Sequence, residues 1–173
     1  MNYLEVEGLF DTYFVDRDYE KMEELLKKGF NANHQIQNGP TYLQLACENN
    51  MSCTPFSSIL RVMRNQKEKM NVKELQKLKY PPPDFRTMKL LIDYKADPNF
   101  KNTREYNMTA LFYYFNDSSN QIEFQFVKYL IDHKADPNSR TSIDGLTPFM
   151  TALKNCNTTH QIIKYLIEEG KAR

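Results

Sequence analysis

Three histidines and three cysteines are the side chains best suited to chemistry in this 173-residue chain, and their spacing speaks against it. His34, His133 and His160 stand far apart, with no H-E-x-x-H or H-x-x-E-H pattern to bring two imidazoles and a carboxylate together around a metal. Cys47, Cys53 and Cys156 form no C-x-x-C pair, so neither a zinc site nor a disulfide framework is expected. Cys47 follows Ala46 on a predicted short helix and reads as small apolar packing. His133 falls at a predicted helix end, where positive charge suits the dipole. There is no G-x-S-x-G, no Walker loop and no G-x-G-x-x-G, and 5 glycines leave little for a phosphate-cradling loop. No catalysis, cofactor or metal is expected.

Composition narrows the remaining classes. A formal charge of +1 argues against a dedicated duplex binder, which carries a clear excess of Lys and Arg. An apolar share of 40% supports a packed core, and with no Trp its large side chains are the 11 Phe and 11 Tyr. The start, Met1-Asn2-Tyr3-Leu4-Glu5-Val6-Glu7, is acidic and amphipathic rather than a signal peptide. No apolar stretch is long enough to span a membrane. With an odd number of thiols, this fits a reducing, cytoplasmic setting.

The elements that would position any site are repeated. Lys95-Ala96-Asp97-Pro98-Asn99 recurs as Lys134-Ala135-Asp136-Pro137-Asn138, each after a matching apolar stretch, Met88–Tyr94 and Val127–His133. Ile163–Gly170 repeats that stretch again, and Met22–Gly29, followed by Phe30-Asn31-Ala32-Asn33, is an earlier relative. Between them lies a second element: Thr41-Tyr42-Leu43-Gln44-Leu45-Ala46, Thr109-Ala110-Leu111-Phe112-Tyr113-Tyr114 and Thr147-Pro148-Phe149-Met150-Thr151-Ala152. Each Thr is placed to cap a helix, and Pro148 is tolerated just inside one. The unit is a turn, a short helix, a second helix and a turn, and each unit covers its neighbour's apolar face.

These segments resemble the T-P-L-H-x-A and G-A-D-x-N signatures of ankyrin repeats. The resemblance implies an all-α solenoid of about four helix-turn-helix repeats in a single domain, 1–173. Its expected limits are 1–33, 34–99, 100–138 and 139–173, with a long helical insertion at about 51–84 in the second repeat. Where the family has His after T-P-L, this sequence has Gln44, Phe112 and Met150, so that imidazole's bond is expected to be lost or rerouted. Lys95 and Lys134 replace the glycine that ends the second helix, at a cost of about 1 kcal/mol each. Gly29 and Gly170 keep the family's glycine, and Tyr114 in an Ala position is expected to open the packing between repeats two and three.

Inside the insertion, Phe56, Ile59, Leu60 and Met63 have amphipathic-helix spacing, and a charged helix is predicted over 72–79, stopped by Pro81-Pro82-Pro83. Residues 61–79 carry seven bases, Arg61, Arg64, Lys67, Lys69, Lys73, Lys77 and Lys79, against Glu68 and Glu74. The plain reading is a solvated helix face. The sharper alternative is a site for an acidic partner or RNA, although the aromatic interleaving of a single-strand platform is missing.

The resemblance implies protein binding on the concave side, through turn tips and first helices. The implied tips are Gln37 and Asn38, Glu105 and Tyr106, and Ile143 and Asp144. Glu48, Asn116 and Lys154 lie at first-helix ends, with Met108 and Leu146 just ahead of the capping Thr. Apolar tip residues such as Tyr106 and Ile143 are the expected anchors. The Asn-, Lys- and Tyr-rich composition, uneven periods and long insert are similar to poxvirus ankyrin proteins, and bacterial effectors and protozoan ankyrin proteins share that composition. The poxvirus resemblance implies a host-range or immune-evasion factor in the host cytoplasm, adapting host proteins to a ubiquitin ligase through a C-terminal F-box-like segment. The sequence stops where a further turn would begin, so a fragment or truncated member with half of that adaptor missing is expected.

Overall fold

The computed structural model describes residues 3–36, 39–48, 84–116 and 121–173. Among these residues the chain forms four pairs of helices: α1 (Tyr3–Asp16) with α2 (Tyr19–Lys27), α3 (Tyr42–Cys47) with α4 (Phe85–Asp93), α5 (Ala110–Phe115) with α6 (Phe124–Asp132), and α7 (Pro148–Lys154) with α8 (His160–Glu168). It forms no named strand, only isolated antiparallel bridges, Gln35 to Thr41 and Asn102 to Met108, each closing a hairpin ahead of a first helix. The predicted insertion helices, the bases of 61–79, and the tip residues Gln37 and Asn38 lie outside the described residues.

Apolar spacing explains the stacking. Met22, Leu25 and Leu26 of α2, Met88, Leu91 and Ile92 of α4, and Val127, Leu130 and Ile131 of α6 share an i, i+3, i+4 stripe, and all are buried. The short helices form one row, α3 on α5 and α5 on α7, while α2 packs on α4 and α6 on α8. Aromatic rings fill the wider gaps: Phe10 stacks on Phe30 with centroids 4.3 Å apart, and Tyr114 on Phe126 at 4.9 Å. Tyr114 is buried, and its hydroxyl accepts a bond from the Glu123 N–H at 2.9 Å, so it fills space between helices instead of opening the packing.

The recurring Asp-Pro-Asn segment is an inter-unit clasp. Asn33 Nδ2 donates to the Lys95 carbonyl (3.1 Å), and its Oδ1 accepts from Asp97 N–H (2.6 Å). Asn99 makes the same two bonds to Lys134 and Asp136, and Asn138 makes them to Lys171 and Arg173. The acid two residues earlier pre-forms each later rung, since Asp97 Oδ1 accepts from Asn99 N–H and Asp136 Oδ1 from Asn138 N–H, both at 2.8 Å. In the first rung Asn31 plays that part for Asn33. The two Lys-Ala-Asp-Pro-Asn copies therefore occupy equivalent places.

Lys95 and Lys134 sit at φ +70°, in the left-handed conformation expected of them. Their N–H groups bond Ile92 and Ile131, and the next residues' N–H groups reach back to Leu91 and Leu130, closing the second helices. Gly29 does the same at φ +95°. In the last pair the expectation fails: the left-handed residue is Lys171, at φ +55°, and not Gly170. One extra residue lies there, because Ala172 N–H reaches Leu166 six positions back where Ala135 reaches Leu130 five back. Gly170 is needed for close approach instead, since a Cβ there would stand 2.6 Å from the Leu166 carbonyl.

Candidate binding face

The hairpin turns and first helices project the residues singled out from the sequence, and their local chemistry sets how each is held. Thr41 opens α3 with a full capping box: its hydroxyl accepts from Gln44 N–H at 3.3 Å, and Gln44 Oε1 accepts from Thr41 N–H at 2.9 Å. The Gln44 amide then donates to the Phe100 and Met108 carbonyls of the following hairpin, at 2.8 and 2.9 Å. The bracing bond left open by the missing His is thus rerouted through Gln44, tying one unit to the next. Thr147 also caps its helix, accepting from Met150 N–H. Thr109 does not, contrary to expectation: Phe112 offers no reciprocal acceptor, and the buried Thr109 hydroxyl has no hydrogen-bond partner.

The hairpin before α5 ends in a tight turn, Glu105-Tyr106-Asn107-Met108, closed by Met108 N–H on the Glu105 carbonyl at 3.1 Å. Tyr106 (φ +58°) and Asn107 (φ +62°) are both left-handed, the demand of a type I′ turn. Asn tolerates this, but for Tyr it costs on the order of 1–2 kcal/mol. The strained Tyr106 ring is 48% exposed. The next hairpin presents Ile143 at 64% exposure, and its Ser142 N–H bonds the Tyr106 carbonyl at 2.8 Å, so the two apolar tips are locked side by side. Gly145, at φ +67°, completes that second tip.

Not every sequence-predicted residue faces outward to act. Asp144 serves its own turn: its carboxylate accepts from the Thr141 hydroxyl at 2.6 Å and Leu146 N–H at 3.1 Å, which lowers its pKa. Glu105 is turned back from the tip, accepting the Tyr113 hydroxyl's hydrogen bond, while Asn102 Nδ2 donates to that hydroxyl at 3.2 Å. Met108 is half-buried against the core. Asn116, Leu146 and Lys154, distant in sequence, meet around a depression of about 220 Å³ between α5 and α7, floored by Phe115 and Asn155. Glu48 caps the end of α3, half-buried, and no hydrogen bond or ion pair engages its carboxylate among the described residues. Burial, aided by the nearby Glu105, pushes its pKa up to about 8.

A second depression, of about 480 Å³, lies between α2 and α4 and was not foreseen. Tyr19 and Phe85 line it, and the Arg86 guanidinium lies 4.4 Å from the Tyr19 ring centroid. The available signal was register, since Tyr19, Phe85 and Phe124 each stand first in their helix. His34 Nε2 lies 2.9 Å from Glu7 Oε1, a pairing 27 residues apart that spacing motifs could not show. Asp11 accepts the Tyr42 hydroxyl's bond at 2.5 Å, and burial raises its pKa. Cys47 is fully buried, which pushes its thiol pKa far up, so it packs as a small apolar residue. His133 closes α6, its Nδ1 2.8 Å from the Tyr129 carbonyl. No group of three or more His, Cys, Asp or Glu able to hold a metal occurs among the described residues.

Paired antiparallel helices, hairpin tips on one side and an Asn clasp between units are the ankyrin architecture, and the family described as Ankyrin repeats (3 copies) matches residues 83–172, just over half of the chain. The chain belongs to the ankyrin-repeat family. Ankyrin repeats are generally protein–protein interaction modules, and proteins of the family are typically non-enzymatic. No curated protein matches the chain, so no relative supports the likeness to poxvirus ankyrin proteins. Among the described residues, no helix is long and apolar enough to cross a membrane.

Proposed function

We propose that this ankyrin protein is a non-catalytic scaffold that grips a protein partner with its hairpin tips and the exposed ends of its first helices. One observation carries the reading: Tyr106 and Ile143, two large apolar side chains exposed at adjacent tips, are held together by the Ser142–Tyr106 bond. Exposed apolar groups on rigid supports make interface anchors, because little entropy is lost when a partner covers them. Asn116, Leu146 and Lys154 around the neighbouring depression would extend the contact. Glu48 sets its polarity, since a cationic group of the partner placed against that carboxylate would relieve its burial.

The partner's origin rests on the resemblance in composition and uneven period to poxvirus ankyrin proteins. On that reading it is a host protein met in the host cytoplasm, sequestered for immune evasion or host range, with this array the target-binding half of a ubiquitin-ligase adaptor. Affinity capture from host-cell lysate tests it, comparing wild type with Tyr106→Ala plus Ile143→Ala, both checked for equal helical content. Proteins retained by wild type and released by the double variant support the reading; identical retention by both overturns the tip assignment. The second reading, RNA or acidic-partner binding by the seven bases of 61–79, predicts steeply salt-dependent binding to generic RNA.

A further inference from the structure

The hairpins before α5 and α7 carry both acids and bases, and the structure disposes of the two kinds differently. Each tip has one acid, and each acid is spent on its own neighbourhood. Glu105 accepts the Tyr113 hydroxyl's hydrogen bond, while Asp144 accepts from the Thr141 hydroxyl at 2.6 Å and the Leu146 N–H at 3.1 Å. Glu48 lies close enough to Glu105 to feel its charge, and burial holds the Glu48 pKa up at about 8. At neutral pH Glu48 is therefore largely protonated and adds little negative charge to this face.

The bases are left facing out. Lys101, Arg104 and Arg140 on the same hairpins are exposed, and so is Lys154, which lines the depression between α5 and α7. Among the described residues no carboxylate lies within 4.0 Å of any of these four cations. The contrast is with the second helices, where Lys27 pairs with Glu23 at 2.9 Å and Lys128 with Asp132 at 2.7 Å. Arg140 is also held in place: its Nη1 donates to the Gly145 carbonyl at 3.2 Å, which leaves its other N–H groups fixed at the turn that carries Ile143. Lys154 lies near enough to Asp144 to help lower that acid's pKa. The apolar pair Tyr106 and Ile143 is thus flanked by cations that nothing in their own hairpins neutralises.

Resting on the tip assignment above, we propose that the partner's docking segment is acidic: a stretch of protein whose apolar side chains cover Tyr106 and Ile143 while flanking Asp or Glu carboxylates meet Arg104, Arg140 and Lys154. Covering the apolar pair strips water from the cations beside it. A neutral or basic segment leaves those cations desolvated without a partner, whereas a carboxylate opposite each offsets the cost and steers the encounter. Arg104 and Arg140 suit this role, because a guanidinium takes a carboxylate through two parallel hydrogen bonds. Nucleic acid fits the face less well. Among the described residues Tyr106 is the only large aromatic side chain exposed, and Ile143 beside it offers no plane on which a base could stack.

Selection of displayed random peptides on the immobilised full chain, followed by anisotropy titration of the enriched peptides, tests the partner's chemistry. The expected peptides are rich in Asp and Glu around a Leu, Phe or Tyr. Their affinity should fall at least about tenfold with Arg104→Glu plus Arg140→Glu, and again with salt raised from about 50 to about 500 mM. Lys154→Glu, on a different element, should weaken them in the same direction, so the result does not hang on one hairpin. All these side chains are exposed, and unchanged circular dichroism confirms that each variant folds. Enriched peptides without acidic bias that are still released by Tyr106→Ala plus Ile143→Ala would overturn the acidic partner and keep the tips. Peptides indifferent to both pairs of substitutions, or released only when the bases of 61–79 are neutralised, would overturn the tips as well. Failure to enrich any peptide, or tight binding of generic single-stranded RNA abolished by Arg104→Glu plus Arg140→Glu, would also overturn the proposal.

Discussion

Replacing Glu48 by Gln removes a carboxylate that the fold holds in an unfavourable place. Burial raises its pKa from the ordinary 4.5 to about 8, with the neighbouring Glu105 adding to the effect. Between those two values the folded chain binds one proton more than the unfolded chain at this residue, so its contribution to stability is whole below pH 4.5 and is lost as pH rises toward 8. The gap of about 3.5 pH units, at about 1.36 kcal/mol each, sets a ceiling of about 5 kcal/mol. Glu48 is half-buried and can turn toward water, so the expected gain for Glu48→Gln at pH 8 is about 2–3 kcal/mol, shrinking to almost nothing at pH 4. A domain of this size shifts by about 2–4 °C per kcal/mol, so thermal melts should separate the variant from wild type by about 4–12 °C at pH 8. Asp11, also raised by burial, is common to both proteins and cancels in the difference. Equal melting shifts at pH 4 and pH 8, or a wild type more stable than the variant at pH 8, would refute the argument.

Two further perturbations test the array itself. Lys95→Gly and Lys134→Gly relieve left-handed strain at the helix ends and should each raise unfolding free energy by about 0.5–1 kcal/mol in urea titrations; a loss at either site would contradict the strain reading. Asn99→Ala removes its bonds to Lys134 and Asp136 and should cost about 1–2 kcal/mol, with faster hydrogen exchange at the Asp136 amide; unchanged exchange there would mean that the clasp does not hold the units together.

The array was legible in the sequence because its unit is local. The i, i+3, i+4 stripes, the capping Thr positions and the Asp-Pro-Asn segments each act within about ten residues, and copies of one pattern at related phase let each unit cover its neighbour's apolar stripe. The tips carrying Tyr106 and Ile143 were legible for the same reason, since turn residues sit at a constant phase ahead of Thr109 and Thr147. The fate of single groups was not. Whether Gln44 would recover the lost imidazole bond depended on the Phe100 and Met108 carbonyls, 56 and 64 residues away. Whether Gly170 or Lys171 would take the left-handed turn depended on one extra residue, which shows in the Ala172 N–H reaching Leu166 and in the Asn138 clasp bonding Lys171 and Arg173. Glu48 and Glu105 look like any exposed acids in the sequence, yet the helix row half-buries one and turns the other onto Tyr113. Leu153 and Ile167 carry the same pattern as their buried counterparts, yet among the described residues they are exposed. Periodicity fixes which face a side chain joins; what lies across that face, and so its burial and bonding, is a property of the assembled neighbours.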